Sequence, residues 1–203
     1  YAVVMQNPNH TADNQPRFTL EILDNNGNLI DSTCCYADFV AGGNLGWNTV
    51  SGSNVIWKDW TTVGIDIARY HGQYIKIRFT TKDCADGGHF GYAYFVVHCD
   101  NKRIALVNLC ESDDSVRLRA PLGFEYLWVR AADSAVISTE NEIIVPADSS
   151  LYRCYATFIG RPECSFVISS RAILPYPKAD FDFVTDTCGQ RVYLIDRSYV
   201  DID

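Results

Sequence analysis

Apolar and polar residues alternate with a period of two through most of the chain. The stretch "RFTLEILD" places Phe18, Leu20 and Ile22 on one side of an extended segment, and "QYIKIRFTT" repeats the alternation. This period is typical of half-buried β-strands, and turn signals such as "DNNGN" separate the segments. The short stretch "GIDIARYHG" is the one candidate helical turn. The pattern therefore predicts an all-β chain.

Two breaks divide the chain. The polar stretch "HCDNKR" ends the first strand-rich part, and "LPYPKAD", with two prolines, is typical of a hinge. We predict domains over residues 1–103 and 104–176, and a C-terminal β extension over 177–203. The extension is too short to form its own core. Because the sequence opens on Tyr1, we expect a processed or excised fragment.

Charge and hydropathy narrow the set of partners. The 203 residues include 17 Lys and Arg against 25 Asp and Glu, a net charge of −8. An acidic surface repels phosphate, so we expect no nucleic-acid partner. No apolar run reaches the roughly 18 to 20 residues of a membrane span, so we expect no membrane insertion. We expect a monomer.

Eight cysteines indicate disulfides and an oxidising, extracellular compartment. The neighbours Cys34 and Cys35 cannot bond each other without strain. We therefore expect them to pair separately, with Cys84 and Cys99 as partners.

The middle segment carries an ordered set of marker residues. Cys110 ends the apolar stretch "IALVNLC", Trp128 lies in "FEYLWVR", and Tyr152 stands two residues before Cys154 in "LYRCYA". This order resembles the immunoglobulin-type sandwich, in particular the short Ig-like domains repeated in bacterial surface proteins. The resemblance implies a Cys110–Cys154 disulfide and places Trp128 and Tyr152 in the core. The alternative is an unrelated sandwich whose core holds a Trp and a Tyr.

The first segment resembles jelly-roll modules. Its text from Trp57 to Cys99, "WKDWTTVGIDIARYHGQYIKIRFTTKDCADGGHFGYAYFVVHC", is similar to the ending of MAM-type and galactose-binding-like domains. We predict a jelly-roll β-sandwich whose first strands are missing. Asp83 and Asp86 in "DCADGGHFG", with backbone carbonyls, are candidate ligands of a structural calcium ion. The alternative is that they cap the backbone of the turn. We expect no required cofactor.

Aromatic residues supply the candidates for ligand contact, because aromatic rings stack on sugar rings. Trp47, in the loop "AGGNLGWNTVSGSN", is the candidate ligand-binding residue, with anchoring of the loop as the alternative. Trp57 and Trp60 are three residues apart, which a strand sends to opposite faces, so we expect one of them in the core. Tyr92 and Tyr94 share a face, which we expect to be buried.

No hydrolase elbow, phosphate loop or local zinc motif occurs in the chain, so we expect no enzyme. The tail "ADFDFVTDTCGQRVYLIDRSYVDID" resembles the start of a PKD-type repeat. The series of resemblances implies a fragment of a bacterial cell-surface protein. We expect a noncatalytic adhesion module that binds a glycan or a host surface protein. The alternatives are a purely structural spacer and, more remotely, a glycan-active enzyme.

Overall fold

The computed structural model of the protein describes residues 1–43, 46–85, 87–108, 114–174, 176–186, 189 and 191–201. Antiparallel strands dominate this part of the chain, and helical structure is limited to 3-10 turns at Ala12–Asn14 and Ala68–Tyr70. The strands are β1 (Ala2–Gln6), β2 (Arg17–Leu23), β3 (Tyr36–Val40), β4 (Asn48–Thr49), β5 (Val55–Lys58), β6 (Lys76–Lys82), β7 (Gly91–Tyr94), β8 (Ala105–Asn108), β9 (Ser115–Arg119), β10 (Phe124–Arg130), β11 (Val136–Ser138), β12 (Glu142–Pro146), β13 (Leu151–Phe158), β14 (Arg161–Arg171), β15 (Tyr176–Lys178), β16 (Phe181–Thr185), β17 (Val192–Asp196) and β18 (Tyr199–Asp201). The predicted all-β class is confirmed.

The chain forms two compact units, each built from several segments. Unit 1 contains Tyr1–Lys102, Pro121–Tyr126 and Tyr155–Val167. Unit 2 contains the remaining segments, Arg103–Ala120, Leu127–Cys154 and Ile168–Asp203. The division into domains at 1–103, 104–176 and 177–203 stays a prediction.

Unit 1 contains a β-sandwich made of two antiparallel sheets. One sheet has the strand order β4-β5-β1-β7, and the other has the order β3-β2-β6. Their inner faces share one core cluster, in which Val3 and Met5 of β1 meet Phe18 of β2 and Phe39 of β3. The alternation of apolar and polar residues along β2 explains this packing, because every second side chain of a strand points to the same face.

Unit 2 is built around an aromatic and aliphatic core. Its three-stranded sheet has the order β12-β9-β8, and β10, β13 and β14 contribute residues to both units. The Trp128 side chain is fully buried, and its Nε1 donates to the Glu140 carbonyl at 2.8 Å. Tyr152 and Cys154 are buried on the inward face of β13.

The predicted Cys110–Cys154 disulfide falls partly outside the described residues, which do not include Cys110. Cys154 is a free and fully buried thiol in the structure, and this burial raises the pKa of the thiol to about 12. The pairing of these two cysteines stays a prediction.

A disulfide joins Cys34 to Cys164, whose Cα atoms are 5.4 Å apart. Cys35, Cys84 and Cys99 carry free thiols, so the predicted pairing of the two adjacent cysteines with Cys84 and Cys99 is wrong. The cause is a long-range contact that local sequence does not reveal. Arg161, at the start of β14, donates from its guanidinium to the backbone carbonyl of Thr33, and this contact brings Cys164 beside the turn that holds Cys34.

The C-terminal residues form two-stranded sheets. β15 pairs with β18, and β16 pairs with β17. All side chains of β16 and β17 are exposed, which fits a segment too short to bury its own core. Its relation to PKD-type repeats stays a prediction.

Candidate binding face and metal-ligand cluster

The outer face of the sheet β4-β5-β1-β7 carries aromatic side chains. Val3 and Met5 of β1 are fully buried in the sandwich, so the intervening Val4 points outward. Val4 pairs with Trp57 on one side and with Tyr92 on the other. Directly paired residues of an antiparallel sheet point to the same face. Trp57, Val4 and Tyr92 therefore form a row across the sheet, and the backbones that carry the two rings are two strand spacings, about 10 Å, apart.

A second row runs along β7, perpendicular to the first. The ring centroids of Phe90 and Tyr92 are 5.7 Å apart, and those of Tyr92 and Tyr94 are 6.0 Å apart. The exposed fraction is 37% for Trp57, 45% for Tyr92 and 60% for Tyr94. We call Trp57, Phe90, Tyr92 and Tyr94 the aromatic face.

Amide side chains lie beside these rings. Asn48 of β4 pairs with Trp57, and Gln6 lies two residues beyond Val4 on the same side of β1. Gln6 Nε2 donates to Asn54 Oδ1 at 3.4 Å, and Gln6 Oε1 accepts the backbone N–H of Phe90 at 3.1 Å. The combination of exposed rings and neighbouring amides can stack an apolar ligand surface and hydrogen-bond its edge groups.

Two expectations about these aromatic residues are wrong. Trp57 and Trp60 are both exposed, Trp60 at 60%, so neither is a core residue. Tyr92 and Tyr94 do share a face, but that face is exposed. The sequence "GYAY" already indicated that the tyrosines face outward, because the small residues Gly91 and Ala93 alternate with them and point towards the core.

Trp47, the predicted ligand-binding residue, is half-buried and packs against the core cluster of unit 1. Its Nε1 is buried and finds no hydrogen-bond acceptor among the described residues. The structure therefore places Trp47 against the core, as an anchor of its loop, and its contact with a ligand stays a prediction.

A cavity of about 670 Å³ opens in unit 1. Its floor includes Leu20 and Phe79, which are paired on β2 and β6, and its border includes Trp60, Asp66 and Lys102. Lys102 Nζ donates to Asp66 Oδ2 at 2.6 Å. This volume suits a small ligand, but the aromatic floor offers few hydrogen-bonding groups.

Only one of the two candidate calcium ligands lies within the described residues. Asp83 is exposed, and its Oδ1 accepts the backbone N–H of Gly91 at 3.3 Å. Asp86 lies outside the described residues. Calcium binding by this pair stays a prediction.

The same loop contributes two of the three residues of a cluster that the sequence did not predict. The ligand atoms of His10, Cys84 and His89 all lie within 4.8 Å of one another. Cys84 Sγ is 3.1 Å from His89 Nδ1, and the imidazoles of His10 and His89 meet edge to face at 5.3 Å. The spacing of Cys84 and His89 in the sequence is only a weak indication of a metal site, and His10 is remote from both. Only the fold brings the three residues together.

Comparisons with protein-family models, with curated proteins and with solved structures find no match to this chain. Within its described residues, no helix has the length and hydropathy to cross a membrane.

Proposed function

We propose that the chain is a noncatalytic carbohydrate-binding module of an extracellular surface protein, and that the aromatic face is its ligand site. The observation that carries the proposal is the row of Trp57 and Tyr92 across the outer surface of a sheet. Contiguous exposed apolar groups are common at binding sites, and these rings adjoin one another on one sheet. The Cys34–Cys164 disulfide supports an oxidising compartment outside the cell.

The shape of the face favours a sugar over a compact apolar ligand. Exposed aromatic rings can stack on the C–H groups of sugar rings, and the amides of Gln6, Asn48 and Asn54 can accept and donate hydrogen bonds at the edges. A site on the outer surface of a sheet leaves most of the ligand exposed, which suits a segment of a long glycan. Attachment to a bacterial cell surface remains part of the proposal.

A glycan array probed with the folded, disulfide-intact chain, with calcium and again with chelator, tests this function. Trp57→Ala and Tyr92→Ala each remove one stacking ring, worth about 0.5–1.5 kcal/mol or up to roughly tenfold in Kd. Tyr74→Ala is the matched control, because Tyr74 is 87% exposed and lies outside the sheet. The proposal expects weaker binding in the first two variants and unchanged binding in the control.

Other outcomes would contradict the proposal. Binding lost only in Trp47→Ala would move the site to its loop, and binding that requires calcium but neither ring would move it towards Asp83. A clean negative with wild-type chain would favour the spacer function.

A further inference from the structure

We propose that His10, Cys84 and His89 bind one zinc ion. In a tetrahedral zinc site with Zn–S near 2.3 Å and Zn–N near 2.05 Å, neighbouring ligand atoms are about 3.3 to 3.6 Å apart. The Cys84 Sγ to His89 Nδ1 distance is 3.1 Å, and the whole set of three ligand atoms lies within 4.8 Å. One pair of donor atoms thus already has nearly the spacing that a bound ion requires, and the donor atom of His10 lies within 4.8 Å of both.

The backbone holds the donors in place from two sides. The loop reverses so that the Cys84 N–H donates to the His89 carbonyl at 3.4 Å, and the Gly87 N–H donates to the Cys84 carbonyl at 3.2 Å. Gly87 has a φ of +75°, which favours glycine and permits this reversal. The Ala85 N–H donates to the Asn14 carbonyl at 3.2 Å, which ties the loop to the segment after His10.

The chemistry of the donors selects zinc rather than calcium. A thiolate and two imidazoles are soft and borderline ligands that suit Zn²⁺, whereas calcium takes oxygen ligands. Cys84 is only 5% exposed, so a metal ion held by its sulfur would be shielded from bulk water on that side. Three protein ligands leave a fourth position for water or for an oxygen of a bound ligand.

The competing interpretation is a thiol–imidazole hydrogen bond between Cys84 and His89 without metal. The two interpretations predict different effects of zinc on the reactivity of the Cys84 thiol. Zinc coordination would block alkylation of the sulfur, whereas added zinc would not change the alkylation rate of a thiol that is only hydrogen-bonded.

Metal content and thiol labelling of the tag-free full chain test the proposal. After dialysis against zinc under conditions that leave the Cys34–Cys164 disulfide intact, we expect one zinc per chain by mass spectrometric metal analysis. We expect Cys84 to be alkylated at least tenfold more slowly with zinc than with chelator. Cys99, an exposed free thiol, is the internal control, and its labelling should not change.

Variants then locate the site. Cys84→Ser, His89→Gln and His10→Gln should each lose the bound zinc, while His71→Gln, at an exposed histidine outside the cluster, should retain it. Circular dichroism checks that each variant is folded. If a variant does not fold, the labelling of the wild-type protein with zinc and with chelator still tests the proposal. Absence of bound zinc after dialysis would overturn the proposal. So would Cys84 labelling at the same measurable rate with zinc and with chelator, or zinc that all three ligand variants retain. The zinc ligands and the rings tested for glycan binding are different residues, although His89 is next to Phe90 of the aromatic face. A failure here therefore leaves the glycan proposal standing, and the reverse also holds.

Discussion

Removal of the Cys34–Cys164 disulfide should strongly destabilise unit 1, to which both residues belong. The bond joins the turn before β3 to β14, across a sequence separation of 130 residues. The contacts around it do not depend on the sulfur atoms. Asp31 Oδ1 accepts the backbone N–H of Cys34 at 3.0 Å, and Arg161 Nη1 donates to the Ser32 carbonyl at 3.3 Å. The folded geometry should therefore survive without the bond.

The size of the effect follows from the loop that the bond closes. The chain-entropy relation for a loop of about 130 residues gives about 5 kcal/mol at 25 °C. Domains are typically stable by about 5–15 kcal/mol, so this entropic limit corresponds to about a third or more of a typical stability. Alanine at both positions avoids an unpaired thiol and isolates the loop-closure contribution.

Urea denaturation followed by circular dichroism measures the effect. We expect the Cys34→Ala/Cys164→Ala double variant to lose about 3–5 kcal/mol in the free energy of unfolding, the upper value being the entropic limit. Cys99→Ala, at an exposed free thiol, should change it by less than about 0.5 kcal/mol. A loss below about 1 kcal/mol in the double variant would refute the reasoning, because it would mean that the two segments are not held together by the bond.

Three further predictions concern single residues. Gly64→Ala would place a Cβ in steric conflict with the ring of Phe124, so thermal unfolding should show a loss of about 1–3 kcal/mol from overpacking. Hydrogen bonds from the backbone N–H groups of the following turn lower the pKa of Asp31, so its ionised form stabilises the fold above the unfolded pKa of about 3.9 and this contribution is lost as the pH falls through the folded pKa. Asp31→Asn should therefore cost less stability at about pH 3 than at about pH 6 in urea titrations; an equal cost at both would contradict this assignment. Burial raises the pKa of Cys154 to about 12, which leaves a thiolate fraction of about 10⁻⁴ at pH 8, so peptide mapping should show native Cys154 alkylated far more slowly than Cys99; comparable rates would show that Cys154 is accessible.

The fold class could be predicted from the sequence because it depends on a local period. The alternation of Phe18, Leu20 and Ile22 fixes which face of β2 enters the sandwich, and the structure pairs Leu20 with Phe79 and Ile22 with Ile77 as two alternating strands should pair. Such information is present in every short segment. It does not require knowledge of which strands become neighbours.

The candidate sites could not be predicted in the same way, because they depend on those neighbours. Trp57 joins Tyr92 in one row only because β1 lies between β5 and β7. His10 reaches Cys84 only because its segment is tied to the loop before β7. The Gly- and Asn-rich loop around Trp47 suggested that the ring is exposed, but the ring packs against the hydrophobic core of unit 1.

The most direct test of the central claim is an equilibrium titration of the full chain with a glycan selected on the array, run in parallel on wild type, Trp57→Ala and Tyr74→Ala. The account predicts saturable binding by wild type and by Tyr74→Ala, with the Kd of Trp57→Ala raised up to about tenfold while its unfolding curve is unchanged. A Trp57→Ala variant that binds as tightly as wild type would contradict the assignment of the aromatic face as the ligand site.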